Sequence, residues 1–216
     1  MEITDDRFAP VPRDLAKQLG YQGVRKLLTL LTDAYRDLYS KRCVCADSSE
    51  NSITEEWFVH IVKRWRPENT FGLIPIPQKE DTGRAKSRGR PPTIDFCFRD
   101  EFFPQSYFGV ECKLLDQGCA THLNNYLDDK EGIGRFLSGK YSAHTSTGSM
   151  VGYVRSGDCN IVAKAVACGV KQLVSNSGFK KSRPLPGFDQ LYESEHDRQT
   201  GVSPFLCYHL FFAFNC

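Results

Sequence analysis

Hydrophobic and polar positions along the chain follow two alternating periods. Over residues 12–42, Leu27, Leu28, Leu31, Ala34, Tyr35 and Leu38 recur three and four residues apart, which predicts a packing helix that Gly20 and Gly23 break into two pieces. The residues before it are polar and irregular. A second helix is predicted in DSSENSITEEWFVHIVKRWRP. Asp47, Ser48 or Ser49 can cap its start, Pro67 stops it, and Ile53, Trp57, Ile61 and Trp65 form an apolar stripe widened by Phe58 and Val62. The period then changes to two. The run FGLIPIP predicts a short strand, and residues 93–99 and 107–115 predict two more, joined as a hairpin through an acidic and aromatic connection containing Pro104. Ile133, Phe136 and Leu137 predict a helix ended by Gly139, residues 149–154 a strand, and residues 158–174 a helix capped by Asp158. The stretch YESEHDRQTGVSPFLCYHLFFAF closes the chain with two β-like runs, the last a buried strand carrying His209.

These elements predict an α/β fold. A length of 216 residues suits one domain with a sizeable core, divided as a helical N-terminal extension (1–46), a core (47–155) and a C-terminal helix and strands that complete the sheet (156–216). The formal net charge of +2 selects no class of partner. Nine cysteines form an odd set without a CxxC pair, so they read as reduced packing residues of a cytoplasmic protein rather than a disulfide framework or zinc site. No apolar run approaches the roughly 20 residues of a membrane span, and no leader-like segment is seen.

Strand alternation sorts the chemistry. Glu111 and Lys113 share one face of their strand, Cys112 points to the other with Val110 and Leu114, and Asp95 can sit across the hairpin. Two carboxylates and an ammonium among apolar strands are costly to desolvate and call for a compensating partner such as a hard cation. In the preceding helix, steps of about 100° put Glu50 inside the apolar stripe if the helix starts early enough, Glu55 at its edge and Glu56 outside. Glu50 can equally serve the helix N-terminus, where negative charge is favourable.

The set Asp95 and Glu111-Cys112-Lys113, on two hydrophobic strands behind a helix, resembles the PD-(D/E)xK nuclease superfamily of restriction-endonuclease-like fold. Here Ile94 precedes the Asp, and Pro91-Pro92 lie further upstream. The order helix, three strands, helix, strand resembles that superfamily's αβββαβ core, and similar prokaryotic members carry a segment like Arg135-Phe136 through Gly139-Lys140-Tyr141, followed by a strand like Gly152-Tyr153-Val154. The resemblance implies a Mg²⁺-dependent endonuclease, with Mn²⁺ able to substitute. Asp95, Glu111, the Cys112 backbone carbonyl and Glu50, with Glu55 in reserve, would hold the metal, and Lys113 would orient the attacking water or stabilise charge. It further implies DNA as substrate, with RNA as the other polymer, a homodimer or a subunit of a larger complex, and a role in defence against foreign DNA. The alternative is a module that binds nucleic acid or scaffolds a larger assembly without cutting it.

Basic residues extend this expectation. Arg84, Lys86, Arg88 and Arg90 alternate in a Gly- and Ser-containing loop leading into the Asp95 strand, a composition suited to phosphate-backbone contact or to a solvated loop. Arg135 and Lys140 can bind phosphates or be solvated. Ser194, His196 and Arg198 share one face if the chain there is extended, where the His and Arg can contact a phosphate or bond locally. No helix-turn-helix, zinc finger or helicase motif accompanies them.

Overall fold

The computed structural model describes residues 14–41, 44, 47–80, 93–102, 104–173, 178–198 and 200–214. Helix α1 (Leu15–Ser40) starts where the Asp14 side chain accepts the Ala16 N–H at 3.1 Å. It kinks at Gly20, whose φ of 61° is open to glycine at little cost. Gly23 does not break it. That residue is helical and buried, and a Cβ there would come within 3.1 Å of the Phe71 ring. Helix α2 (Glu50–Arg64) is capped by Ser49, whose Oγ accepts the Ser52 N–H at 3.2 Å. Its buried stripe is narrower than expected: Ile53, Trp57 and Ile61 are buried, but Val62 faces solvent and Trp65 lies just past the helix.

Strands β1 (Ile74–Glu80), β2 (Thr93–Arg99), β3 (Tyr107–Asp116), β4 (Thr147–Ser156), β5 (Lys180–Lys181), β6 (Leu191–His196) and β7 (Phe205–Ala213) form one mixed sheet in the order β1-β2-β3-β4-β7-β6-β5. Antiparallel β1, β2 and β3 form a meander, β3, β4 and β7 run parallel, and β6 and β5 return antiparallel. The parallel strands need crossovers. Helices α3 (Ala120–Leu127) and α4 (Gly134–Leu137) link β3 to β4, and α5 (Cys159–Leu173) follows β4.

Both faces of the sheet are covered, which is why β4 is buried without alternation from Thr147 to Val154. On one face, Leu27, Leu28 and Leu31 of α1 and Ile53, Trp57 and Ile61 of α2 pack on Phe96, Phe98, Val110, Val151 and Phe212. Trp57 meets Phe96, Tyr153 and Phe212 edge to face, and its Nε1 donates to the Leu31 carbonyl at 3.1 Å. On the other face, Tyr126, Phe136 and Tyr141, with Val162 and Val166 of α5, cover Met150, Val154, Cys207 and Phe211. The order α2, three strands, helix, β4 matches the sequence pattern.

The region after β3 differs from expectation. The main crossover helix is α3, and the helix expected from Ile133 onward shortens to the four residues of α4. Gly139, at a φ of 66°, follows its C-cap as expected, while Gly134 serves close approach: a Cβ there would sit 2.1 Å from the Asp129 Cα. Cys97, Cys112 and Cys207 are buried cysteines outside any disulfide, Cys119 and Cys159 are half-buried and Cys168 is exposed. Among the described residues, no helix is long and apolar enough to cross a membrane.

Candidate active site

The paired register of β2 and β3 ends at Phe96↔Val110, so the next N–H groups of β3 that face β2 need other acceptors. Two carboxylates supply them. Asp95 Oδ2 accepts the Cys112 N–H at 2.7 Å, and Glu50 Oε2, reaching over from the first turn of α2, accepts the Leu114 N–H at 2.8 Å. Because the N–H and C=O of one strand residue face the same neighbour, the Cys112 carbonyl is aimed to the side that holds Asp95. Gly109, paired with Cys97, lets the Ile94 side chain pack closely, since a Cβ there would lie 2.4 Å from Ile94 Cδ1.

Lys113 joins the acids. Its Nζ donates to Glu111 Oε1 at 2.8 Å and to Glu50 Oε1 at 3.3 Å. Burial alone would lower its pKa, but Glu111, Glu50 and Asp95 together override that and raise it, so the side chain stays an ammonium. Glu111 is 2 % exposed, and among the described residues its Oε2 has no hydrogen-bond partner. Burial first, and the negative charge of Asp95 second, push its carboxyl up to about 8 against the pull of Lys113. Burial likewise raises Asp95.

Two acidic groups held above their ordinary range, one with a buried oxygen that has no partner among the described residues, form a site that an added cation would stabilise in its ionised form. Among the described residues, no group of three or more His, Cys, Asp or Glu side chains converges as a ready-made metal cage. Each oxygen of Glu50 accepts one hydrogen bond, so Glu50 holds Lys113 and β3 in place. Asp95, Glu111 Oε2 and the Cys112 carbonyl remain. An oxygen set of that size fits Mg²⁺, which is usually bound through one or two carboxylates and keeps waters and substrate phosphate oxygens.

Of the other expected residues, Glu55 lines a cavity of about 420 Å³ together with Asn51, Thr54, Phe58, Pro77 and Asp95. Asn51, Phe58 and Pro77 carried no sequence signal for this, because a cavity between a helix and a strand depends on packing that periodicity does not encode. Arg84, Lys86, Arg88 and Arg90 lie outside the described residues. Lys140 is half-buried in the turn after α4. Arg135 stays near the acids, where it weakly favours ionised Glu111. Its guanidinium lies 5.2 Å from the centre of the Tyr141 ring, and Nη1 donates to the Tyr141 hydroxyl and to the Thr93 carbonyl, tying α4 to the start of β2.

His196 and Arg198 do not join the site. β6 ends at His196, and Arg198 turns inward, 7 % exposed, donating to the carbonyls of Val202, Phe136, Ser142 and Thr145. Its donors are engaged, so we assign it a structural role in place of the phosphate contact expected from alternation. His196 and His209 are buried on either side of Ser194, whose Oγ lies 2.7 Å from Nε2 of each, and the Tyr126 hydroxyl meets His209 Nδ1 at 2.8 Å.

No protein-family model, curated protein or solved structure matches the chain. The functional reading therefore rests on the residues themselves.

Proposed function

We propose that this protein is a Mg²⁺-dependent endonuclease that hydrolyses phosphodiester bonds of DNA, built on a restriction-endonuclease-like core of the PD-(D/E)xK type. The observation that carries the reading is Glu111 Oε2, buried without a partner among the described residues, beside Asp95 and two residues from an ammonium. The order of α2, three strands, helix and β4, with β3 and β4 parallel, is compatible with that core.

Asp95 and Glu111 would hold the ion, with the Cys112 carbonyl as a neutral donor. A bound Mg²⁺ would supply a Lewis acid that activates water and neutralises charge on the phosphoryl group. Lys113, as an ammonium, has no lone pair with which to take a proton. It acts as a donor, aimed at the attacking water or at a developing phosphoryl oxygen, and Glu50 and Glu111 fix its direction. Glu50 also anchors the main chain at Leu114, which keeps the β3 register that presents Glu111 and Lys113 together. No serine or cysteine nucleophile is needed, and the Cys112 thiol, pushed up by burial, is unsuited to that role. The free energy of association would come from phosphate contacts, for which the Arg84, Lys86, Arg88 and Arg90 segment is the candidate in sequence.

The test is a substrate panel. Purified protein is incubated with supercoiled plasmid, linear duplex, single-stranded DNA and RNA, each with Mg²⁺, with Mn²⁺ and with EDTA. We expect metal-dependent cutting of DNA. Binding of DNA without cutting under every metal condition would favour the second reading, a non-cutting module of a larger assembly.

A further inference from the structure

Asn51, Thr54, Glu55 and Phe58 lie at i, i+3, i+4 and i+7 of α2, so they form one stripe, and that stripe faces Pro77 of β1 and Asp95 of β2 across the cavity of about 420 Å³. This size lies in the range of about 300–1,000 Å³ usual for small-ligand sites. Thr54 is its floor, because the hydroxyl is tied to the Glu50 carbonyl at 2.9 Å and the Tyr153 hydroxyl at 3.0 Å. Phe58 is a fixed wall: its ring is half-buried and rests against Phe96, with centroids 5.6 Å apart.

The lining selects the chemistry of an occupant. Among the described residues it contains the carboxylates Asp95 and Glu55 and no basic side chain, and these carboxylates would repel a phosphate inside it. Phe58 and Pro77 offer flat apolar surface. Asn51 offers donors and an acceptor, and Glu55 offers acceptors only. A neutral, planar group carrying N–H donors satisfies all of these at once.

We propose that this cavity receives one unstacked nucleobase of the substrate, stacked against Phe58, with its amino group turned to Glu55 and Asn51. The inference rests on the nuclease reading and deepens it by naming a substrate class. The phosphate joined to that base stays outside, toward Asp95 and Glu111, where the cation would lie. A base reaches the cavity only if it is unpaired, so the substrate is single-stranded or locally opened DNA. An acceptor such as Glu55 favours adenine, cytosine or guanine, which carry an exocyclic amine, over thymine.

The experiment uses the full chain. Deoxyadenosine, deoxycytidine and thymidine, which carry no phosphate, are titrated into isotopically labelled protein and followed through its backbone amide signals. Affinity for short labelled oligo-dC and oligo-dT is measured for wild type, Phe58→Ala, Phe58→Tyr and Glu55→Gln, with cleavage assayed in parallel. We expect deoxyadenosine and deoxycytidine to shift the amides of residues 51–58. Phe58→Ala should weaken oligo-dC binding about tenfold and Phe58→Tyr should restore it, as stacking on an aromatic face requires. Glu55→Gln should narrow the preference for dC over dT.

Metal-dependent cutting without nucleoside shifts, and with oligonucleotide binding unchanged in Phe58→Ala and Glu55→Gln, overturns the pocket and leaves the nuclease standing. Nucleoside binding without cutting keeps the pocket and removes the nuclease reading. Shifts at residues 51–58 produced by Mg²⁺ alone, with none from nucleosides, identify a cation site and overturn the proposal. If Phe58→Ala fails to fold, Phe58→Leu, which keeps the apolar bulk without the aromatic face, and Glu55→Gln decide.

Discussion

Lys113 Nζ sits 2.8 Å from Glu111 Oε1, two residues away on the same face of β3, and both side chains are nearly closed to solvent. Removing one partner of such a pair leaves the other as a buried, uncompensated charge. We therefore expect Lys113→Met to destabilise the metal-free protein by on the order of 3–5 kcal/mol above about pH 8, where Glu111 is ionised, and by less at neutral pH. Added Mg²⁺ should recover part of that loss. Urea melts in EDTA and in Mg²⁺ check both statements, and a melt unchanged in EDTA contradicts the ion pair.

Glu111→Gln removes charge from the same place with the opposite outcome. Glutamine keeps the shape and can still accept from Lys113, while the repulsion with Asp95 and the unpartnered charged oxygen disappear. In EDTA the variant should be at least as stable as wild type, and calorimetry should find its Mg²⁺ or Mn²⁺ binding lost. The pH dependence has a definite sign. The carboxyl, held at about 8 when folded against an ordinary value of 4.5, makes the metal-free protein less stable as pH rises from about 4.5 to 8. Glu111→Gln should flatten that slope.

Much of this site could be read from the sequence. Alternation along β3 is a local property of an extended strand, so it placed Glu111 with Lys113 correctly. The helical stripe placed Glu50 on the inner side because α2 begins at that residue. Its two readings prove compatible: Glu50 stands in the first turn of α2, yet its carboxylate reaches β3. What failed depended on non-local packing. ATHLNNYL carries only Tyr126 as a fully buried residue, so α3 gave little periodic signal. Arg198 was read as part of an extended run, but alternation loses meaning where β6 ends at His196. The α2 cavity arises from the approach of α2 to β1, which neither segment encodes alone.

Arg198→Met separates a structural from a phosphate-binding role. Five protein carbonyls, including that of Tyr141, would lose donors in the interior, and we expect a loss on the order of 2–4 kcal/mol. DNA affinity and its dependence on salt should stay as in wild type. A shallower salt slope at unchanged stability would instead place Arg198 on the substrate.

His196 and His209 set the acid limit of the fold. Burial holds them at about 4 and about 3, below the ordinary 6.5, so the unfolded chain takes up protons first. Their contribution is complete above about pH 6.5 and is lost as pH falls toward 4, at up to about 1.4 kcal/mol per pH unit for each histidine. The measurement is the urea midpoint between pH 7 and 4 in the Glu111→Gln background, where the opposing carboxylate no longer titrates. Replacing His196 by Asn should lower the slope by about one proton.

The central claim is tested most directly by nicking of supercoiled plasmid by wild type, Asp95→Asn and Lys113→Met, each shown to be folded, in Mg²⁺ and in EDTA. We predict cutting by wild type in Mg²⁺ only, with each variant slower by about 10²-fold or more. Equal cutting by the variants, or cutting that persists in EDTA, would contradict the assignment of Asp95, Glu111 and Lys113 as the reaction centre.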